Sequence, residues 1–338
     1  MKRLWTIALL ISIITILLIT FFYFLPLLDG IVMGIVFAYV AKPIKKRIEN
    51  IGRIKSSLIS TLFVMLPVSL LLFYGIFQGL TQAVYIFTHY NEFEEKTMEL
   101  IRQLGVDGGE EYLKGILKSI FSIVQSTFKL SAVEITKKFT LFILNFFISA
   151  VVCFYVLADL NSFVERTTTI IPEERRGEFK RFIKEVDETF VSLWFGNFLV
   201  ALLIGLASLP YFICFGVPFP PLLSGLMFLA ALIPIFAEWM VIVPVSLYLL
   251  LLDIGRGLTF LAIGVVFYYI VPELILRPHF LSYRTKIHPL ILMLAFIGGG
   301  IIGGVSGFFL APMFAGLATA LYNYYTGERN SISQGSSS

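Results

Sequence analysis

The 338-residue sequence predicts an all-α, polytopic membrane protein with about 6–8 membrane helices, some of them broken or re-entrant. Composition is the first reason. Hydrophobic residues make up 58% of the chain and charged residues only 14%, whereas soluble domains are about half apolar and a quarter charged. The second is that apolar runs recur at lengths able to cross a hydrocarbon core of roughly 30 Å. The third is that the last of these runs are interrupted by proline and glycine, which lipid tolerates only where neighbouring groups satisfy the freed backbone.

The formal net charge of +4 is too small for a nucleic-acid-binding face and fits cytoplasmic loops rich in Lys and Arg. Cys153 and Cys214 lie inside apolar runs and read as packing residues rather than a disulfide framework. His89, His279 and His288 have no metal-ligand spacing, and neither a phosphate loop nor a nucleophile elbow occurs. Paired intramembrane aspartates and an HExxH pattern are also missing. An enzyme, a metal and a bound cofactor are therefore not expected.

Lys2 and Arg3 precede an apolar run from Leu4 to Leu25, too long for a signal-peptide core and without a small-residue cleavage site, so it reads as a retained first span. Pro26 ends it, and Leu27 to Ala41 follows almost at once, as in a tight helical hairpin with Asp29 near its turn or at a helix N-terminus. Lys42 to Lys55 carries six basic residues against Glu49, which places this loop and the N-terminus in the cytoplasm. Residues 1–81 thus hold three spans, the third running from about Leu58 to Leu80. Residues 82–138 turn polar, with apolar residues at helical spacing from Leu113 to Phe128. They read as an external amphipathic segment or as a helical linker extending its neighbours.

Residues 139–158 form span 4. A charged amphipathic cytoplasmic helix is expected over 159–189, with Pro172-Glu173-Glu174 as a helix start. Residues 190–326 are the expected transport core, and 327–338 a polar, serine-rich disordered tail. Span 5, from Phe190 to Phe215, carries Asn197, which either bonds a neighbouring helix or lines a path.

Pro218 to Leu252 is too long for one span and short for two, and it contains Pro234 and Glu238. A carboxylate in so apolar a run is a functional candidate by default, because its burial costs several kcal/mol unless a partner or cavity receives it. If this stretch crossed once, the basic loop Arg277 to His288 would lie outside. The positive-inside preference therefore favours zero or two net crossings, a hairpin turning near Pro234 to Trp239. At the cytoplasmic edge Arg277 pairs with Glu273 one helical turn earlier, in a structural or gating role. His288 reads as the cap of a last span. That run is broken by Gly298, Gly299, Gly300, Gly303, Gly304 and Gly307. These glycines have two readings, a pathway through a broken helix or close packing of the GxxxG type at Gly300 and Gly304.

Several ordered motifs carry a family resemblance across nearly the whole chain. They are Ala38-Tyr39-Val40-Ala41-Lys42-Pro43, Gly196-Asn197, Gly216-Val217-Pro218 with Ser224-Gly225, and Ile233-Pro234-Ile235-Phe236-Ala237. Leu276-Arg277-Pro278, and His288-Pro289-Leu290 followed by the glycine clusters, complete the set. The chain resembles the autoinducer-2 exporter family of PerM-like permeases. Ala237 and Glu238 stand where that family usually has glycine and proline, so Glu238 rests on its own physics. The resemblance implies a homo-oligomeric transporter, with a pentamer as one candidate assembly, in the cell (inner) membrane.

The expected function is secondary transport that exports a small polar solute or signalling molecule, with H⁺ or Na⁺ as candidate coupling ion. The expected path is lined by Glu238, Asn197, Pro234 and the glycines at 298, 299, 300 and 303. The alternatives are a Na⁺(Li⁺)/H⁺ antiporter and a non-transporting oligomeric scaffold or channel. The expected partners are the lipid bilayer, further copies of the chain and the small solute.

Overall fold

A computed structural model describes residues 2–88, 132–233, 238–277 and 287–335, together with residues 115 and 119. Its elements are helices: α1 (Lys2–Phe24), α2 (Leu28–Arg47), α3 (Arg53–Thr88), α4 (Ala132–Ile170), α5 (Glu173–Cys214), α6 (Pro220–Ala231), α7 (Trp239–Leu252), α8 (Ile254–Val265) and α9 (Pro289–Gly335). Two π-helical stretches, Val266–Ile270 and Pro272–Leu276, extend α8. Among the described residues, six helical stretches are long and apolar enough to cross a membrane. Most of the amphipathic segment expected at 82–138 lies outside the described residues. The charged segment that follows span 4 is formed by the end of α4 and the start of α5, and α5 begins at Glu173 after Pro172 as the sequence suggests. Helix α9 continues to Gly335, through most of the expected tail, because extending a formed helix costs far less than starting one.

Helix α2 is the centre of the bundle and packs against α3, α4, α5 and α9. Its closest neighbour is α4. A Cβ added at Gly30 would stand 2.5 Å from the Asn145 carbonyl oxygen, and one at Gly34 2.6 Å from Val152 Cβ, so the small-xxx-small pair is what lets the backbones meet. Helix α1 does not fold back as a tight hairpin. Phe24, Leu27 and Leu28 keep right-handed helical angles across a 3₁₀ turn, Leu25–Leu27, with Pro26 in its first positions. Proline is tolerated at the start of a helix and does not force a reversal there. The described side chains of α1, from Leu9 to Phe24, are apolar and exposed for most of its length, as suits a lipid-facing helix.

Helices α6 and α7, of 12 and 14 residues, are about 18 and 21 Å long at 1.5 Å per residue, each short of a full crossing. Phe228 of α6 touches Phe198 and Gly205 of α5, and Leu232 reaches Asn197, so α6 runs antiparallel to α5. The far end of α7 comes back to the far end of α5, where Arg256 donates to the carbonyl of Phe215. Both ends of Pro218 to Leu252 therefore lie at one end of the bundle. The stretch is a hairpin whose two ends lie on one side of the bundle, the arrangement that the loop charges favour.

Helix α9 is a second hairpin. Gly304 has φ 58° and ψ −138°, angles that interrupt the helix and that only glycine adopts without strain. Gly299 contacts Gly307, and the rings of Phe296 and Phe308 are 4.8 Å apart, whereas eight residues of continuous helix would separate Gly299 from Gly307 by about 12 Å. The first arm, 289–303, starts at His288, whose Nδ1 accepts from the Leu290 N–H at 3.2 Å. The second arm runs down α5 until Tyr324 meets Phe182. Its ends thus lie at the basic end of the bundle, where Arg53 pairs with Asp159 and Lys42 with Asp187. The two hairpins enter from opposite ends.

Candidate functional site

At the tip of the α6–α7 hairpin the fold gathers four polar side chains from three parts of the chain. Asn197 projects from α5. Glu238 is the residue that opens α7, and Glu273 and Arg277 lie at the end of the π-helical extension of α8. A π turn holds an extra residue and so swings the face that follows it. Here Arg277 faces inward.

Arg277 is the hub. Its Nη1 donates to Asn197 Oδ1 at 3.0 Å and its Nη2 to Glu238 Oε1 at 3.4 Å. Its Nε lies 3.1 Å from Glu273 Oε1, an ion-pair separation at an angle that keeps the N–H off that oxygen. Asn197 Nδ2 in turn donates to the carbonyl of Leu232, at the end of α6. The Arg277 and Glu238 side chains are 8% and 6% exposed and that of Glu273 32%, so two of the three charges are inside the protein. Among the described residues, one guanidinium against two carboxylates leaves a formal negative charge in excess. Asn197 is ten residues from Asp187, about 15 Å along α5, which sets the cluster well within the bundle and not at its basic edge. The expected edge position of Arg277 is thus replaced by a buried one, because Asn197 and Glu238 draw the guanidinium inward.

The pathway residues expected from sequence separate into two groups. Asn197 and Glu238 meet, and the Glu273–Arg277 pair joins them. Pro234 lies outside the described residues. Gly298, Gly299, Gly300 and Gly303 belong to the α9 hairpin. Of these only Gly299 is in close backbone contact, and its partner is Gly307; the Gly300–Gly304 pair makes no such contact, and added Cβ atoms at Gly298 and Gly303 would meet nothing.

The hairpins are nevertheless linked by a cavity of about 610 Å³ between α2, α3, α4, α5 and α6. Leu232 at one tip and Val305 at the other reach its walls, which are largely apolar, with Asp29 and Asn145 among the few polar residues. Asp29 Oδ1 accepts from the Ser306 N–H at 2.8 Å. A carboxylate at the N-terminus of the second α9 arm offsets the helix dipole there, which realises the helix-end alternative for Asp29 with a partner at the far end of the chain. Asn145 Oδ1 accepts from the Gly30 N–H at 2.7 Å, and its Nδ2 donates to the Pro26 carbonyl at 2.9 Å. It holds the start of α2 in place. Sequence reasoning passed over Asn145, although an amide in the apolar run Phe142 to Phe147 is itself a signal.

The sequence signature of the AI-2E family transporters matches residues 9–327. The chain belongs to the AI-2E transporter family. An Archaeoglobus fulgidus protein bearing the name "Putative transport protein" is 66% identical over 328 residues, 97% of this chain and 96% of its own length. Proteins of the same name from Methanothermobacter thermautotrophicus and Aquifex aeolicus are 28% identical over 314 residues and 25% over 236. The first match covers 89% of both chains, the second 69% of this one and 65% of the relative.

Proposed function

We propose that the protein is a secondary transporter of the cell membrane that exports a small solute carrying polar groups, with Glu238 as the carrier of a coupling H⁺ or Na⁺. The observation behind this reading is the Arg277 guanidinium shared between Glu238 on a re-entrant hairpin, Asn197 on α5 and Glu273 on its own helix. The Arg277–Glu238 contact, at 3.4 Å, is the longest of the three and the one that ties the hairpin to α8. A proton or cation on Glu238 neutralises the cluster's excess charge and releases that tie, so the hairpin moves and the 610 Å³ cavity opens to one side. Coupling follows because each ligand shifts the equilibrium by its preference for one arrangement.

Proteoliposomes carrying a pH-sensitive dye test this. Wild-type protein is expected to show solute-dependent movement of H⁺ or Na⁺ that the Glu238→Gln variant has lost. Full gradient-driven flux in Glu238→Gln would remove Glu238 from the mechanism. The excess negative charge also favours a second reading, Na⁺(Li⁺)/H⁺ antiport. Proton movement evoked by Na⁺ or Li⁺ pulses without any organic solute would select it.

A further inference from the structure

A second cavity, of about 280 Å³, lies between α2 and α4 at the basic end of the bundle. Next to the glycine contact that joins these helices, its inner wall is apolar, with Ala38, Val156 and Leu157. Its outer part carries Lys42, Lys45 and Lys46, with Glu49 as the lining carboxylate. Lys42 is bonded to Asp187. Lys45 and Lys46 have no ion pair among the described residues.

Lys45 is the innermost of the three lysines. The residue is 8% exposed, and its Nζ donates to the carbonyl of Leu157, a neutral acceptor within α4. An ammonium has three N–H donors; the Glu49 and Asp159 carboxylates act on this one without pairing with it directly, and burying an ammonium with no direct counter-charge costs several kcal/mol. Lys42, Lys45, Lys46 and Arg53 against Glu49, Asp159 and Asp187 leave the described neighbourhood positive by one charge. A compact anion in the cavity would supply both the missing acceptors and the missing charge. An apolar floor beneath a cationic mouth, at the boundary of a membrane helix, is the arrangement that receives a phosphate-bearing headgroup.

We propose that this cleft is a binding site for a phosphate-bearing anion, with Lys45 as the buried contact and Lys46 as the contact at its exposed mouth. Lipid headgroups and soluble phosphate esters share this chemistry, and the experiment separates them. Full-length protein in detergent is titrated with phosphatidylglycerol and phosphatidylcholine and the retained lipid is read by native mass spectrometry, with sn-glycerol-1-phosphate and inorganic phosphate as soluble competitors. Wild type is expected to retain phosphatidylglycerol in preference to phosphatidylcholine. Lys46→Gln is expected to weaken retention about fivefold and Lys45→Met about tenfold or more, while Lys55→Gln, outside the cleft, leaves it unchanged.

Retention that millimolar glycerol phosphate leaves intact assigns the site to a lipid headgroup. Direct binding of glycerol phosphate that Lys46→Gln weakens assigns it to a soluble ester. Equal retention of the two lipids together with no binding of either soluble competitor overturns the proposal, and so does a Lys46→Gln variant that retains anion as wild type does. Lys46 is exposed, so its variant decides the question even if Lys45→Met does not fold.

Discussion

Arg277 shows how a buried charge is held and what it contributes. A paired ion inside a protein adds little net stability, because desolvation offsets the Coulomb gain, but removing one partner strands the other and costs about 3–5 kcal/mol. Arg277→Gln is therefore expected to destabilise by about that amount, read as a lowered unfolding midpoint in detergent. The double variant Arg277→Gln/Glu238→Gln should recover part of the loss, since no isolated charge remains inside. Additive losses in the double variant would mean that the 3.4 Å contact carries no coupling. Glu273 is partly exposed and solvent screens it, so Glu273→Gln should cost under about 1 kcal/mol in the same assay. Asn197 bridges a cation and the Leu232 backbone carbonyl, and Asn197→Leu leaves both without a partner, at about 1–3 kcal/mol.

Glycine decides two points at the level of whole helices. At Gly34 a larger side chain has no room against Val152 and the Ser149 carbonyl, and Gly34→Leu should separate α2 from α4. Overpacking of this kind costs about 1–3 kcal/mol. Gly304 forms the tip of the α9 hairpin through its backbone angles alone, since an added Cβ there would meet nothing. Gly304→Ala should cost about 1–3 kcal/mol through strain and lower the thermal midpoint. Gly303→Ala, one residue away and helical, should leave it within about 0.5 kcal/mol, as surface substitutions do. A Gly304→Ala protein as stable as wild type would mean that the chain does not reverse there.

For the molecule as a whole, the arrangement to test is a pair of hairpins entering from opposite ends. With Cys153 and Cys214 replaced by serine, single cysteines at Ile254 and Ile170, which are 70% and 82% exposed, mark the two ends. A membrane-impermeant maleimide should label Ile254→Cys from one side of the membrane and Ile170→Cys from the other. His288→Cys, at the start of α9, should follow Ile170→Cys. Labelling of Ile254→Cys and Ile170→Cys from the same side would contradict the zero-crossing α6–α7 hairpin.

The sequence by itself determined the membrane class, the Pro and Gly breaks of the C-terminal half and the set of polar residues placed where lipid would reject them, but not the number of long spans, since Leu9–Arg47 forms one helical stretch where the sequence predicts two spans. Each follows from local quantities: run length, loop charge, and the backbone chemistry of Pro and Gly. It also favoured the return of the Pro218 to Leu252 stretch to its starting side, although Arg277, one of the charges that point that way, is paired inside the protein. Tertiary structure alone decided which polar residue meets which. Arg277 meets Asn197 across 80 residues and Glu238 across 39, and Ser306 meets Asp29 across 277. The reason is physical. In a soluble helix the polar face marks the outside, but here lipid-facing and core-facing surfaces are both apolar, so periodicity shows neither which way Asn197 or Glu238 points nor at what depth they meet. Helix rotation and depth are set by packing, through the glycine contacts of α2 with α4 and the return of two hairpins to their own ends.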